Sequence, residues 1–554
     1  MAPPRISRFG ERAVLVEVNG LDEARHLYSA LRHARETPAA ASSAAPWRDI
    51  VDLVPAARSV LVIADTAAGA ARLHTALVAG VASLAAAPPP ASAEAAPPVT
   101  IPVHYDGPDL AEVASHTGLT PAEVVAAHTG MPWQVAFGGF APGFAYLVGG
   151  DPRLRVPRHP QPRTTVPAGA VALAGEFSGI YPRSSPGGWQ LIGRTDVVLW
   201  DPDRTPPAAL QPGQQVRFTV AEPSTSKTST AATPTAPARH REPRQPHRAL
   251  TVLTSGPLTT VQDDGRLGLA AVGVGPSGAA DRTAYRLANR LVGNVPGSAA
   301  LEVTLGGLAV RATGALTVCL TGAAGPATVD GRVVDFATPL HLRDGQELRL
   351  GMPSRGVRSY LAVRGGLALP VTLGSRSTDR LADLGPAAVA AGDALPVGAE
   401  VGGPVHVDHA PPTEHSQPSR PSQSQGRDEV LIDVLPGPQL DWFDWGSGHL
   451  DRLVDRLWVV SGDADRVGVR LAAAPGRDGR ALTRHTKWAG AEVPSFGMVR
   501  GAVQVPPSGL PVILGADHPV TGGYPVIGVA TEAGSDRLAQ CRPGDQVRLR
   551  LLRV

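Results

Sequence analysis

The chain has 554 residues, 43% of them apolar, and a formal net charge of +2. That is enough chain for several packed domains, and too little charge for nucleic acid or an anionic membrane to be the main partner. No window approaches the ~18 uninterrupted apolar residues of a spanning helix, and MAPPRISRFGERAVLVEV runs straight into strand-like sequence with no signal-peptide core.

Residues 1–84 read as an α+β domain. RAVLVEV (12–18) and SVLVIAD (59–65) are strands, and LDEARHLYSALRHARE (21–36) and AGAARLHTALVAGVASLAA (68–86) are amphipathic helices. Nothing there has the spacing of a catalytic set, so the expected role is support. AAAPPPASAEAAPP (85–98) breaks the pattern, and a β-rich domain is expected over 99–221. Within it, residues 137–194 carry Arg153, Arg155, Arg158 and Arg163 close together, with Phe140, Phe144, Tyr146, Tyr181 and Trp189 each near Gly or Pro. So many breakers exclude a helix and predict short strands joined by stiff loops. A Ser/Thr/Pro/Ala tract follows at 222–247, of the composition of a flexible tether. Two further β-rich lobes are expected, over 248–408 and 430–554, separated by a polar linker or expanded loop at 409–429.

A repeat underlies these lobes. Gly169-Ala-Val recurs at Gly501-Ala-Val, GGWQLIG (187–193) as GGYPVIG (522–528), and PGQQVRF (212–218) as PGDQVRL (543–549), with order and spacing kept and a fainter echo, DGQELRL, at 344–350. The last unit reads as a glycine turn followed by a closing strand. Several copies of one small barrel are therefore expected.

The chemistry-bearing residues cluster in the loops. In GFAPGFAYL (139–147) glycines and Pro142 hold Phe140, Phe144 and Tyr146 on a tight loop; by spacing alone the rings fit a barrel plug as well as a binding surface. Arg158 and Arg163 lie beside prolines, and a guanidinium on stiff backbone suits a carboxylate or phosphate; surface salt bridges are the competing assignment. The turns Gly187-Gly188-Trp189 and Thr521-Gly522-Gly523-Tyr524 let backbone N–H groups approach a ligand, or simply bend a strand. Asp263 and Arg266 in QDDGR, with Gln504 and Asp517 beside VPPSGLPVILG, supply groups for acid–base work and polar capture. Structural ion pairs would use the same residue types. His128, at the end of a helical stretch, fits a helix cap.

Several chemistries lack their signatures. Cys319 and Cys541 are the only cysteines, without metal-ligand spacing, so unbridged thiols are expected. No HExxH, acidic metal loop, G-x-S-x-G elbow or Walker lysine occurs, and no metal site is expected from the chain's own residues. Lys227 and Lys487 are the only lysines. A base-composition bias accounts for that, and it leaves anion binding to arginine and backbone N–H groups.

GFAPGFAYL, PR-x4-PR-xx-VPAG and YP-x-SSPGGW-xx-IGRT closely resemble the KipI-like B component of bacterial 5-oxoprolinase, formerly named allophanate hydrolase subunit 1. TTVQDDGRLGLAAVGVGPSGAADRTAYRLANRLVGN (259–294) and GAVQVPPSGLPVILGADHPVTGGYPVIG (501–528) resemble the KipA-like C component, formerly allophanate hydrolase subunit 2. His518 and Pro519 depart from the pattern beside Asp517. The order, B then C, looks like a gene fusion holding two partners at high effective concentration. The resemblance implies a mainly β chain with cyclophilin-like β-barrels, one in the first half and two in the second. It implies a cytoplasmic, ATP-dependent ring opening of 5-oxoproline with Mg²⁺ and a separate LamB/YcsF-type A component; a homo-oligomer is left open. It also favours a substrate role for Phe140, Phe144, Tyr146, Arg158, Arg163, Gly187, Gly188, Trp189, Gln504 and Thr521 to Tyr524, and a catalytic one for Asp263, Arg266 and Asp517. Two alternatives share the barrels: a biotin-dependent carboxyltransferase module acting on urea or a related amide, and a KipI/KipA-type regulator of a histidine kinase.

Overall fold

The computed structural model describes residues 3–37, 46–86, 97–159, 161–222, 247–405, 409–411, 429–444, 456–474 and 481–552. The tethers expected at 85–98, 222–247 and 409–429 lie largely outside the described residues. No helix among the described residues is long and apolar enough to cross a membrane.

The N-terminal apolar runs form a four-stranded antiparallel sheet in the order Arg5–Arg8, Ala13–Glu17, Ser59–Ala64, Ile50–Pro55. Two of these strands are expected from the sequence and two are not: RISR is too short and polar to signal a strand, and Asp52 interrupts IVDLVP. Alternate residues explain the unbroken apolar runs. Val14, Val16, Val60 and Val62 pack under helices Leu21–Glu36 and Ala67–Ala86. Ala13, Leu15, Val54 and Leu61 point the other way and join Phe496, Met498, Leu514 and Val529 of the C-terminal barrel in a shared core. A sheet buried on both faces has no polar side to show.

The mainly β class holds in the rest of the chain. Seven strands form a curled sheet in the order Gln190–Arg194, Ala170–Ala174, Phe177–Ile180, Ala141–Val148, Trp133–Gly139, Gln215–Val220, Val99–Val103. Helices Leu110–Thr117 and Pro121–Gly130 cover one side of its core; the second begins with a capping box in which the Thr120 and Glu123 side chains each accept the other's backbone N–H. His128 does not cap this helix. It is wholly buried, with Nδ1 2.7 Å from the Tyr105 hydroxyl, Nε2 2.9 Å from Ser178 Oγ, and its ring stacked on Phe218.

In the second half, a six-stranded and a five-stranded sheet sandwich one apolar core, and helix Arg282–Leu291 packs outside the latter on Tyr360 and Ala362. The last unit is a seven-stranded barrel closed by hydrogen bonds from Glu429–Pro436 round to Gln546–Leu551. The sequence repeat has a topological meaning. Gly213 and Gly544 both adopt positive φ, and the strands that follow, Gln215–Val220 and Gln546–Leu551, each pair in parallel with the first strand of their own unit. The PG-x-x-V-R motif thus brings the last strand of each unit alongside its first, and in the C-terminal unit this closes the barrel.

The halves are joined by polar contacts as well as by the shared core. The Asp52 carboxylate accepts the backbone N–H groups of Gly268 at 2.9 Å and Ala270 at 3.2 Å. The Glu11 carboxylate accepts the N–H of Glu532 at 2.6 Å, and Arg12 pairs with the Glu532 side chain. Cutting the chain within 224–246 should therefore leave two fragments that co-purify by size exclusion. Asp52→Ala, which strands the buried Ala270 N–H and removes the acceptor of Gly268, should lower unfolding stability by about 1–3 kcal/mol and weaken that association; fragments that separate on cutting would refute the docking.

Burial lowers the His128 pKa to about 3, whereas the unfolded chain takes up that proton near pH ~6.5. A depressed folded pKa means its stabilising share is complete above pH ~6.5 and is lost as pH falls toward about 3. His128→Gln should lower the melting temperature at neutral pH and flatten its fall between about pH 6 and pH 4, as read by calorimetry across that range.

Candidate functional site

The aromatic loop sits where the two halves meet. Strands Trp133–Gly139 and Ala141–Val148 are joined at Phe140, whose φ of +63° is a conformation a bulky residue holds only when its surroundings impose it. What imposes it is the other half: the Phe140 N–H donates to Thr521 Oγ1 at 3.3 Å. A Cβ on Gly139 would lie 2.5 Å from that same oxygen, one on Gly138 2.3 Å from the Ala271 carbonyl, and one on Gly273 2.3 Å from the Ala141 carbonyl. The glycines of this motif therefore let two backbones touch. Phe140 is 40% exposed and meets Phe144 and Tyr181 edge-on, with centroids 5.3 and 6.2 Å away. Behind it Phe144, Tyr146 and Trp189 are buried and stacked edge to face on one another. They form the floor of the site, and only Phe140 is its surface.

The arginines divide. Arg163 Nη2 donates to Asp109 Oδ1 at 2.6 Å; Asp109 Oδ2 accepts the Leu191 N–H at 2.7 Å and lies 3.2 Å from His159 Nε2. Asp109 is not singled out by the sequence, where DL before a helix is an ordinary start. Arg158 is exposed and has no acceptor among the described residues. Its charge reaches the phenols of Tyr146 and Tyr181: burial raises both, Tyr181 to about 12, and Arg158 works against that rise in each. An exposed guanidinium with no acceptor among the described residues, in the same motif-bearing segment as the aromatic loop, is suited to a small anion.

The two GG turns are alike in backbone and unlike in use. A Cβ on Gly187 would collide with the Tyr181 hydroxyl at 2.3 Å, and one on Gly522 with Gln504 Nε2 at 2.6 Å; Gly188 and Gly523 have nothing nearer than 3.7 and 3.5 Å. Trp189 is buried, whereas Tyr524 is 46% exposed. Gln504 is buried and donates to Met498 Sδ at 3.3 Å, and Thr521 is the residue that meets Phe140.

Asp263, Arg266 and Asp517 lie away from this surface, inside the second half. The Asp263 carboxylate accepts from Gly265 N–H, Ser375 Oγ, Ser377 Oγ and Arg376 N–H at 2.5–2.8 Å, which fills both oxygens and pins the 375–377 loop. Arg266 is buried and donates to the Ser377 carbonyl at 2.5 Å, and burial lowers its pKa. Asp517 accepts Arg466 Nη2 and Nε at 2.8 and 2.9 Å and Ser277 Oγ at 2.7 Å, and Arg466 Nη1 reaches Glu302 at 2.6 Å. Among the described residues, Asp109, Glu112 and His159 bring potential metal-ligand atoms within 4.8 Å of one another. Arg163 already lies on that Asp109, and a guanidinium in contact with the carboxylate opposes a cation there.

The chain matches the family described as "Carboxyltransferase domain, subdomain C and D" over residues 4–210, and "Carboxyltransferase domain, subdomain A and B" over residues 272–551. It is 37% identical over 306 residues to the C subunit of 5-oxoprolinase from Escherichia coli (strain K12), covering 54% of this chain and 89% of that protein. It is 49% identical over 123 residues to the B subunit of 5-oxoprolinase from Escherichia coli O157:H7, covering 22% of this chain and 56% of that protein. The crystal structure of TTHA0988 superimposes with a TM-score of 0.74 at 34% identity, over 99% of this chain and all of that one.

The unequal crowding of the glycines makes a direct test. Gly187→Ala, against the rigid Tyr181 ring, should cost about 1–3 kcal/mol of stability, as overpacking does; Gly522→Ala, against the flexible ends of Gln504 and Met498, should cost less, and Gly188→Ala and Gly523→Ala should stay within about 0.5 kcal/mol. Urea or thermal unfolding of the four variants reads the difference.

Proposed function

Because the chain belongs to the carboxyltransferase-domain family, with subdomains C and D ahead of A and B, we propose that it is the fused B–C component of an ATP-dependent 5-oxoprolinase. A separate LamB/YcsF-type A component makes up the rest of the enzyme, which opens the lactam of 5-oxoproline to glutamate. The observation that carries this reading is the pairing of relatives: one half resembles the B component and the other nearly the whole of the C component, and the halves meet at Phe140 and Thr521.

A lactam resists hydrolysis because its amide resonance must be broken, so coupling to ATP, which supplies phosphoryl transfer to the amide oxygen, makes chemical sense. The described residues do not fit Mg²⁺, since Arg163 occupies the carboxylate of the Asp109 group, and no step of this chain's chemistry runs through the metal. What this chain contributes is substrate capture. Arg158 takes the substrate carboxylate with its planar fork, the exposed Phe140 ring covers the apolar face of the five-membered ring, and the buried Tyr146 and Tyr181 support that ring from behind. Asp263, Arg266, Asp517 and Arg163 act as positioning residues: they hold the loops that hold the site.

With an A component, ATP and Mg²⁺, the protein should form glutamate from 5-oxoproline, and either component alone should turn over little. Glutamate formed without ATP would overturn the mechanism, and carboxylation of urea with a biotinylated carrier would replace it by the carboxyltransferase reading. Arg158→Lys keeps the charge and loses the fork. It should cost about 2–4 kcal/mol in kcat/KM, by analogy with an oxyanion donor, at unchanged melting temperature. Arg266→Lys should lower the melting temperature. The reverse pattern would move the anion site from Arg158 to Arg266.

A further inference from the structure

A cavity of about 220 Å³ lies between the N-terminal sheet and the C-terminal barrel, lined in part by the Met498 whose Sδ accepts from Gln504. Its walls are largely apolar, with Phe9, Val54, Val520 and Val529 among them, and residues of both halves line it. Most charges at its rim are matched within the protein. Arg500 donates to Asp536 at 2.7 Å and to the Ala280 carbonyl at 2.6 Å, Arg12 pairs with Glu532, and Asp52 holds Gly268 and Ala270.

Arg282 is the exception. Its side chain is 16% exposed, its Nε is buried without a partner, and its nearest carboxylate, Glu532, stands 3.8 Å away. Its guanidinium donates no hydrogen bond among the described residues, and burial lowers its pKa to about 10. The start of its helix makes no claim on a ligand, because Asp536 accepts the N–H groups of Arg282 and Thr283 and Asp281 that of Ala284. A guanidinium this short of acceptors is costly unless something supplies them. His518 lines the same cavity. Its Nδ1 lies 3.0 Å from the Pro519 carbonyl, an acceptor, which places the proton on Nδ1 and leaves Nε2 as an acceptor.

An unmatched donor fork and an unmatched acceptor face one small apolar space. Glu11, Asp52 and Glu532 around it disfavour a dianion such as phosphate, whereas a single carboxylate balances Arg282. We propose that this cavity is a binding site for a small monocarboxylate bearing a hydrogen-bond donor, with its carboxylate on Arg282 and its donor on His518 Nε2, and that occupancy clamps the two halves together. The site is separate from the Phe140 surface and stands independently of the proposed activity.

Calorimetric titration of the full chain, with neither the A component nor ATP, tests it with three probes of similar shape. 2-Hydroxyisobutyrate should bind most tightly, isobutyrate more weakly, and isobutyramide not measurably. Arg282→Gln should weaken both acids by more than roughly tenfold, the worth of a charge-assisted hydrogen bond. His518→Ala, which leaves Arg282 in place, should erase the preference for the hydroxy acid while isobutyrate still binds; it also serves if Arg282→Gln does not fold. Equal binding of acid and amide, wild-type affinity in Arg282→Gln, or no binding of 2-hydroxyisobutyrate would each overturn the proposal. Failure would leave glutamate formation from 5-oxoproline untouched, so the two readings fall separately.

Discussion

The structure depends on one constraint: two polypeptide backbones must come within van der Waals contact along the line where the halves meet. Gly138 lies under the Ala271 carbonyl, Gly139 under Thr521, and Gly273 under the Ala141 carbonyl. No residue with a Cβ fits at these points without displacing its neighbours. Because the contact is so close, the Phe140 amide reaches Thr521 and the ring is held in a left-handed conformation at the surface. The exposed aromatic is thus a product of the docking, and neither half alone supplies the force that keeps it there.

Behind that seam, charge is arranged to orient rather than to stabilise. Asp517, Arg466 and Glu302 form a buried chain linking the two lobes of the second half, with Tyr360 donating to Glu302 at 2.7 Å and Ser277 to Asp517. Buried pairs of this kind roughly offset their own desolvation, but breaking one leaves an uncompensated charge, so they penalise wrong docking. The near absence of lysine makes arginine the cation throughout, and its fork bonds two acceptors at once. Arg466 uses that property to bridge carboxylates on different elements, whereas Arg158 meets no acceptor among the described residues.

Much of the fold was legible in the sequence. The β-rich lobes follow from short apolar runs between Gly and Pro, and the PG-x-x-V-R repeat marks the strand that closes a barrel, because a positive-φ glycine and an alternating apolar strand are local requirements. The N-terminal strands were half legible: Asp52 hides a strand whose polar residue faces the other half of the chain. The motif loops are legible as well, and GFAPGFAYL meets Thr521 across the seam. Local chemistry cannot say which of several arginines or carboxylates is free, since that depends on partners distant in the chain. Asp109 meets Arg163, Ser375 and Ser377 meet Asp263, and Arg466 meets Asp517; none of these pairs is signalled by spacing.

The sequence by itself determined the strands, the turns, the repeat and the composition of the site, because each rests on backbone preferences over a few residues. Only the tertiary structure decided which side chains are available for chemistry. It filled the hydrogen-bonding capacity of Asp263 and Asp517, buried Trp189 while exposing Tyr524, and left the guanidinium groups of Arg158 and Arg282 without a hydrogen bond among the described residues. The physical reason is that a charged group's role is set by what desolvates and neutralises it, and here that is supplied by residues from 51 to 240 positions away.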